Sequence, residues 1–180
     1  MEGFLAYAPD LLSLVGGTPP SDDAARDLHA KLNREDAIVA AVAAVPFLQK
    51  HAESTGKVGA TGFCFGGGIV NRMATDSPDL VAGAPYYGAQ APADKVPAIK
   101  AALLLHYAEV DENINKGIAA YEAALKANNK KYTIHNYAGA QHAFNNDTGA
   151  ARYNKAAADL AWGRTVEFFK EQLGVPPKAA

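Results

Sequence analysis

A glycine-rich turn is the feature that most constrains the fold of this chain. The β-prone run Val58–Phe63 leads into Cys64-Phe65-Gly66-Gly67-Gly68, and helix-forming residues continue to Thr75. A strand, a tight turn and a helix in this order place the turn at the end of a sheet, beside the free backbone N–H groups that begin the helix. The sequence therefore predicts an α/β fold with Cys64 at its functional end.

Short apolar runs alternate with longer stretches of helical period along the chain. This alternation is typical of βαβ units and predicts a mostly parallel sheet flanked by helices. We predict about five strands, at Phe4–Ala8, Val58–Phe63, Leu80–Tyr87, Ala102–Tyr107 and Tyr132–Tyr137. The predicted helices are Asp22–Asn33, Arg34–Glu53, Gly67–Thr75, Ile114–Asn128 and Arg152–Leu173. A chain of 180 residues is expected to form one domain, residues 1–180.

The composition argues against several classes of function. With 17 basic and 19 acidic residues, the formal charge of −2 indicates no basic surface for nucleic acid. The longest apolar run, Ile38–Leu48, is well short of the roughly 20 residues that cross a bilayer. Glu2 and the lack of an early basic residue are untypical of a signal peptide. We therefore expect a cytoplasmic protein without membrane or nucleic-acid partners.

Cys64 is the only cysteine, so it serves either packing or chemistry. Gly62 and Gly66 lie two residues before and after it, the offsets of the Gly-x-Ser-x-Gly turn that holds an exposed nucleophile. We expect both glycines to be needed sterically and the helix N-terminus to favour a thiolate. The Phe65 N–H would then face the developing oxyanion. A phosphate-binding loop is the alternative, but its characteristic lysine is absent.

An acid and a base follow later strands in the order that such a turn requires. Asp111 follows the strand Ala102–Tyr107, and His142 follows the strand Tyr132–Tyr137. Together with Cys64 they predict a catalytic triad that needs no metal or cofactor. Glu109 and Glu112 are alternative acids in the same loop. The other four histidines fall on predicted helices or strands, at His29, His51, His106 and His135.

At these residues the sequence resembles the dienelactone hydrolase family of α/β-hydrolases. The resemblance rests on Ala8-Pro9-Asp10-Leu11, the cysteine turn, Leu105-His106-Tyr107 continuing to Asp111, and Gly139–Phe144. It implies an α/β-hydrolase fold, a Cys-His-Asp triad and hydrolysis of a small-molecule ester or lactone. The alternative is a catalytically weak or inactive binding module of the same fold. Thiol redox sensing is disfavoured because the chain has no second cysteine.

The chain departs from the family in its charges. Family arginines that hold a substrate carboxylate, near the Pro-Asp-Leu loop and shortly after the histidine, have no counterpart in residues 11–17 or 143–147. We therefore expect a neutral ester in an apolar pocket. The residues expected to line that pocket are Leu11, Tyr86, Tyr107 and Phe144.

The resemblance begins at what corresponds to the fourth strand of the family. The chain is thus expected to lack three N-terminal strands, and with them the loop that supplies a second oxyanion donor. Either Phe4–Ala8 pairs directly with Val58–Phe63, or a second subunit covers the exposed strand edge. Because long uncovered edges promote association, we expect a homo-oligomer.

Overall fold

The computed structural model describes residues 2–175. The strands in that range are β1 (Val58–Phe63), β2 (Leu80–Tyr86), β3 (Ala102–Val110) and β4 (Tyr132–Gln141). The α-helices are α1 (Asp22–Lys31), α2 (Arg34–Gln49), α3 (Phe65–Asp76), α4 (Glu112–Asn115), α5 (Ile118–Ala127) and α6 (Lys155–Leu173). Two 3-10 helices cover Leu11–Val15 and Ala93–Ala98. The α/β class is confirmed, and the predicted helix over 114–128 begins at Ile118, after the separate short helix α4.

The sheet is parallel, and its strand order β1-β2-β3-β4 follows the chain. Since parallel strands all point the same way, the connections after β1, β3 and β4 leave the sheet at one common edge. Those connections carry Cys64, Asp111 and His142 respectively. The topology alone therefore brings the three predicted triad residues to the same end of the molecule.

The N-terminal segment differs from its prediction. Residues 4–8 are irregular, and within residues 2–175 β1 pairs only with β2, so the sheet has four strands rather than about five. Short apolar runs do not by themselves distinguish a strand from a packed loop. Here the apolar side chains pack on helices, with the Phe4 ring 6.3 Å from Phe169 and the Tyr7 ring 5.2 Å from Phe47. The strand predicted at Phe4–Ala8 is therefore wrong, and with it the first of the two alternatives for the edge of β1. Association through this edge stays a prediction.

The core lies on both faces of the sheet, as the side-chain alternation along β3 illustrates. Leu103, Leu105 and Tyr107 belong to the cluster that packs against α2, α3 and α5. Ala108, on the opposite face, belongs to a cluster that includes three alanines of α6. Alternate residues of a strand point to opposite faces, so each face is covered by helices. Between residues 2 and 175, no helix is long and apolar enough to span a membrane.

A buried polar network joins the sheet to α6 around His106. The ring of His106 is fully buried, with Nδ1 2.8 Å from the Tyr137 hydroxyl and Nε2 3.0 Å from Thr165 Oγ1. Thr165 Oγ1 also donates to Ala161 O and lies 2.7 Å from the Tyr86 hydroxyl. Because the Thr165 proton is used by Ala161, the network is satisfied when His106 is neutral and protonated on Nε2.

We expect the protein to lose stability as the pH falls below about 6.5, because burial lowers the pKa of His106 to about 3. The unfolded chain then binds a proton that the folded chain excludes. The free energy of unfolding therefore falls by about 2 kcal/mol between pH 6.5 and pH 5. Urea denaturation across this pH range measures the slope of the free energy of unfolding against pH. His106→Gln should flatten it, leaving a smaller slope from half-buried His135, whose pKa is also lowered by burial. An unchanged slope in the variant would contradict this assignment.

Candidate active site

The turn after β1 holds Cys64 in a strained backbone conformation. Its φ of 52° and ψ of −115° lie in a region that residues other than glycine rarely adopt. Cys64 N–H donates to Tyr86 O at 3.1 Å, and Cys64 O accepts from Gly68 N–H at 3.1 Å. The sheet and the first turn of α3 therefore fix the residue from both sides. Such a turn presents a side chain at the edge where parallel strands end.

Close backbone contacts explain two of the glycines around this turn. A Cβ added at Gly62 would lie 2.5 Å from Gly66 O, whereas a Cβ at Gly66 would meet nothing within 4 Å. The steric prediction is thus right for Gly62 and wrong for Gly66. The second tight position is Gly67, where a Cβ would lie 2.5 Å from Tyr86 O. That oxygen also accepts from Cys64, so this contact helps to set the turn.

Gly62→Ala is expected to lower the free energy of unfolding by about 3 kcal/mol, because backbone must move to admit the methyl group. Gly66→Ala is the matched control. It should leave stability unchanged or raise it by up to about 1 kcal/mol, since alanine favours the helix that begins there. Chemical denaturation of both variants measures the difference. Similar losses in the two would show that the turn is not closed by the contact between residues 62 and 66.

Asp111 and His142 form a short hydrogen bond at this edge of the sheet. His142 Nδ1 lies 2.6 Å from Asp111 Oδ2, and Asp111 Oδ1 accepts from Ile114 N–H at the start of α4. The Asp111 side chain is 7% exposed and that of His142 is 32% exposed. A carboxylate fixed in this way holds the imidazole in one orientation and leaves Nε2 for another partner. Glu109, an alternative acid, instead accepts from Gly139 N–H at 2.7 Å.

The other alternative acid, Glu112, is exposed in the first turn of α4. The hydrogen bond to His142 is therefore made by Asp111, as the position in the loop predicted.

The surroundings of the Cys64 thiol favour its neutral form. Burial raises its pKa, and the negative charge of Asp111 adds to the rise, while the positive charge of Arg152 opposes it. In the described part of the chain, no hydrogen bond joins Cys64 Sγ to His142. The helix N-terminus was expected to favour a thiolate, and burial acts on the pKa in the opposite direction. Sequence reasoning missed Arg152, since nothing in its position ten residues after His142 indicates proximity to the thiol.

A small cavity of about 290 Å³ opens beside the thiol. Its lining consists of Phe63, Cys64, Tyr87, Asn145, Asn146 and Asp147. Tyr87 has a φ of 36°, and its ring lies 5.0 Å from the His142 ring. Asn145 Oδ1 is buried without a hydrogen-bond partner. Neither Tyr87 nor Asn145 was predicted as a site residue, and only the position of Tyr87 at the end of β2 could have indicated it.

Residues 1–173 match the sequence profile of the Dienelactone hydrolase family. Protein Usf of Aquifex pyrophilus is 36% identical over 179 residues, which cover 96% of this chain and 77% of that protein. A protein of Escherichia coli K12, named provisionally as a carboxymethylenebutenolidase, is 30% identical over 97% of this chain and 69% of its own length. The chain belongs to the dienelactone hydrolase family. It is thereby a carboxylic-ester hydrolase by class.

The α/β-hydrolase-like fold is shown by solved structures. A Klebsiella pneumoniae protein, named provisionally as a dienelactone hydrolase, superposes with a TM-score of 0.73 over 86% of this chain and 68% of that chain. Its sequence is 24% identical, so the likeness concerns the fold. Between residues 2 and 175, no three His, Cys, Asp or Glu side chains are grouped as metal ligands.

The four predicted pocket residues do not form one pocket in this member of the dienelactone hydrolase family. Tyr86, Tyr107 and Phe144 are at most 2% exposed and lie in the two core clusters, and none of them is among the residues that line the cavity beside Cys64. Leu11 is half-buried and lines a different, larger cavity along the outer edge of β1. Phe144 supports the site indirectly, since its ring lies 5.2 Å from that of Tyr87.

Proposed function

We propose that the chain hydrolyses carboxylic esters or lactones through a Cys64-His142-Asp111 triad and a thioester intermediate. The observation that carries the proposal is the 2.6 Å contact between His142 Nδ1 and Asp111 Oδ2, at the same sheet edge as the strained turn of Cys64. A nucleophile on such a turn, a base and a group that orients the base are the parts that acyl transfer needs.

In the proposed reaction, His142 Nε2 accepts the thiol proton as Sγ bonds to the ester carbonyl carbon. The carbonyl oxygen becomes an oxyanion, which accepts a hydrogen bond from the Phe65 N–H. Phe65 is the first residue of α3, so its N–H has no partner within the helix. His142 then protonates the departing alcohol, and the carbonyl re-forms as a thioester. Water, deprotonated by His142, attacks the thioester and releases the acid and the thiol.

We propose a neutral ester as the substrate. Asp147 is the charged residue among those that line the cavity beside Cys64, and none of the lining residues is basic. The charge of exposed Arg152 lowers the pKa of Cys64, but Arg152 is not among the residues that line this cavity. The rest of the lining consists of aromatic rings and asparagine amides, which suit an uncharged ligand.

Alkylation of the single cysteine gives a direct test of the function. The untreated protein should hydrolyse p-nitrophenyl acetate, and iodoacetamide should abolish the rate in step with the loss of free thiol. Protein incubated with iodoacetamide that has first been quenched by excess thiol serves as the control. Turnover that persists after complete alkylation would contradict the proposal.

A catalytically weak binding module is the second candidate. It is favoured by the raised pKa of the half-buried Cys64 thiol and by the absence, among the described residues, of a hydrogen bond from that thiol to His142. The two candidates differ in how the thiol reacts. A triad predicts that His142→Ala slows alkylation of Cys64 near neutral pH, because the base is lost. An inert thiol would react equally slowly in both proteins.

A further inference from the structure

Tyr87 lies in the active site, and the proposed reaction leaves it without a role. It follows the last residue of β2 and lines the cavity of about 290 Å³ together with Cys64. Its φ of 36° lies in the left-handed region, which residues other than glycine seldom adopt. Backbone strain of this kind persists where the surrounding structure imposes it, and it is concentrated at functional sites. The conformation therefore marks Tyr87 as a candidate functional residue.

Aromatic neighbours hold the Tyr87 side chain in one position. The residue is 1% exposed, and its ring packs edge to face on those of Phe144, at 5.2 Å, and Tyr86, at 6.0 Å. The ring of Phe63 lies 6.3 Å away, and the Tyr87 backbone N–H donates to His106 O at 2.7 Å. The hydroxyl is thereby held in place before any substrate binds, which is what makes a catalytic hydrogen-bond donor effective.

The hydroxyl end of Tyr87 faces the reacting groups. Burial raises the pKa of Tyr87, the charge of Cys64 raises it further, and a hydrogen bond from Asn145 N–H to the phenolic oxygen lowers it. Cys64 and Asn145 both line the cavity, so the hydroxyl faces the cavity as well. Because Asn145 N–H is a donor, the phenolic proton remains available to an acceptor on the substrate. With its pKa raised, the group keeps this proton at neutral pH and acts as a donor.

The strand order places this hydroxyl on the leaving-group side of Cys64. β2 lies between β1 and the two strands that precede Asp111 and His142. Tyr87 and His142 are therefore on the same side of the nucleophile, and their ring centres are 5.0 Å apart. In the proposed reaction, His142 Nε2 must reach the oxygen of the departing alcohol in order to protonate it. That oxygen then lies in the part of the cavity that the Tyr87 hydroxyl faces.

We infer that the Tyr87 hydroxyl donates a hydrogen bond to the alcohol oxygen of the ester as its C–O bond breaks. The inference rests on the proposed function and adds a catalytic residue to it. His142 transfers to that oxygen the proton taken from the thiol, while Tyr87 keeps its own proton. The carbonyl re-forms as the Cys64 thioester, and the neutral alcohol departs.

The inference also indicates a class of substrate. The oxygen of an unactivated alcohol carries nearly a full negative charge as its bond to carbon breaks, and a fixed donor stabilises that charge most strongly. An activated leaving group, such as p-nitrophenolate, is a stable anion and gains little from the donor. Alkyl esters are therefore the substrates that Tyr87 serves.

A leaving-group series tests the inference. Tyr87→Phe should lower kcat/KM for ethyl acetate by about 10²-fold and that for p-nitrophenyl acetate by less than about threefold, since only the first leaving oxygen needs the donor. Trifluoroethyl acetate should show an intermediate loss. Equal losses with all three esters would overturn the inference, because a donor to the oxyanion or a purely structural residue acts on every ester alike.

Tyr86→Phe is the matched control. Tyr86 is the neighbouring buried tyrosine, but its hydroxyl lies 2.7 Å from Thr165 Oγ1, and the residue does not line the cavity. Removal of its hydroxyl should change the three rates by one common factor. A loss in Tyr86→Phe that depends on the leaving group as strongly as that in Tyr87→Phe would also overturn the inference.

Replacement of Tyr87 by 2,3,5,6-tetrafluorotyrosine gives a test that does not require Tyr87→Phe to fold. The replacement keeps the ring and its oxygen, and it makes the phenol far more acidic. At alkaline pH the ionised oxygen no longer donates, so the ratio of kcat/KM for ethyl acetate to that for p-nitrophenyl acetate should fall by roughly tenfold or more. A ratio equal to that of the wild type would overturn the inference.

The failures of the two proposals are distinguishable. If hydrolysis of p-nitrophenyl acetate does not depend on Cys64, the proposed function fails. If it depends on Cys64 but Tyr87→Phe loses the same factor with every ester, only the role of Tyr87 fails.

Discussion

Cys64→Ala is expected to reduce kcat for p-nitrophenyl acetate by on the order of 10⁴-fold or more, because the variant has no atom that can form the thioester. The substitution removes one sulfur from a half-buried site and keeps the turn, since the strained backbone is held by hydrogen bonds of main-chain atoms. Steady-state kinetics with purified protein measure the loss, and circular dichroism checks the fold. A folded variant that retains more than about a tenth of the rate would exclude Cys64 as the nucleophile.

Asp111→Asn should lower kcat by about 10⁴-fold, the magnitude seen when the orienting carboxylate of a triad becomes an amide. The asparagine amide can donate to His142 Nδ1, which would place the imidazole proton on Nε2 and prevent that atom from accepting the thiol proton. The 2.6 Å contact, with the acid 7% exposed, makes this switch of tautomer hard for water to reverse.

Glu109→Gln is the matched control for this variant. Glu109 lies in the same loop but accepts from Gly139 N–H, so its loss should change kcat less than tenfold. Equal losses in Asp111→Asn and Glu109→Gln would show that the loop as a whole, and not the carboxylate of Asp111, supports His142.

The sequence predicted those parts of the molecule that depend on local pattern and chain order. Strands β1 to β4 are short β-prone runs bounded by turns, so their positions follow from periodicity. Because the strands are parallel and ordered along the chain, the loops after β1, β3 and β4 lie at the same end of the sheet. The contact between Asp111 and His142 is a consequence of this order.

The parts that failed depend on packing, which pattern does not reveal. Phe4–Ala8 has the composition of a strand, but its rings pack on α2 and α6. Tyr86 and Tyr107 are apolar enough for a pocket and equally suitable for the core, where they lie. The rise in the pKa of Cys64 also depends on packing. The sequence indicated the helix N-terminus beside the thiol but not the burial that raises the pKa.

Trapping the acyl-enzyme tests the central claim most directly. Protein mixed with p-nitrophenyl acetate, quenched in acid within one turnover and digested, should yield a Cys64 peptide heavier by one acetyl group and sensitive to hydroxylamine. Asp111→Asn should accumulate the same adduct more slowly. An acetyl group on another residue, or turnover with an unmodified Cys64 peptide at every time point, would contradict the thioester mechanism.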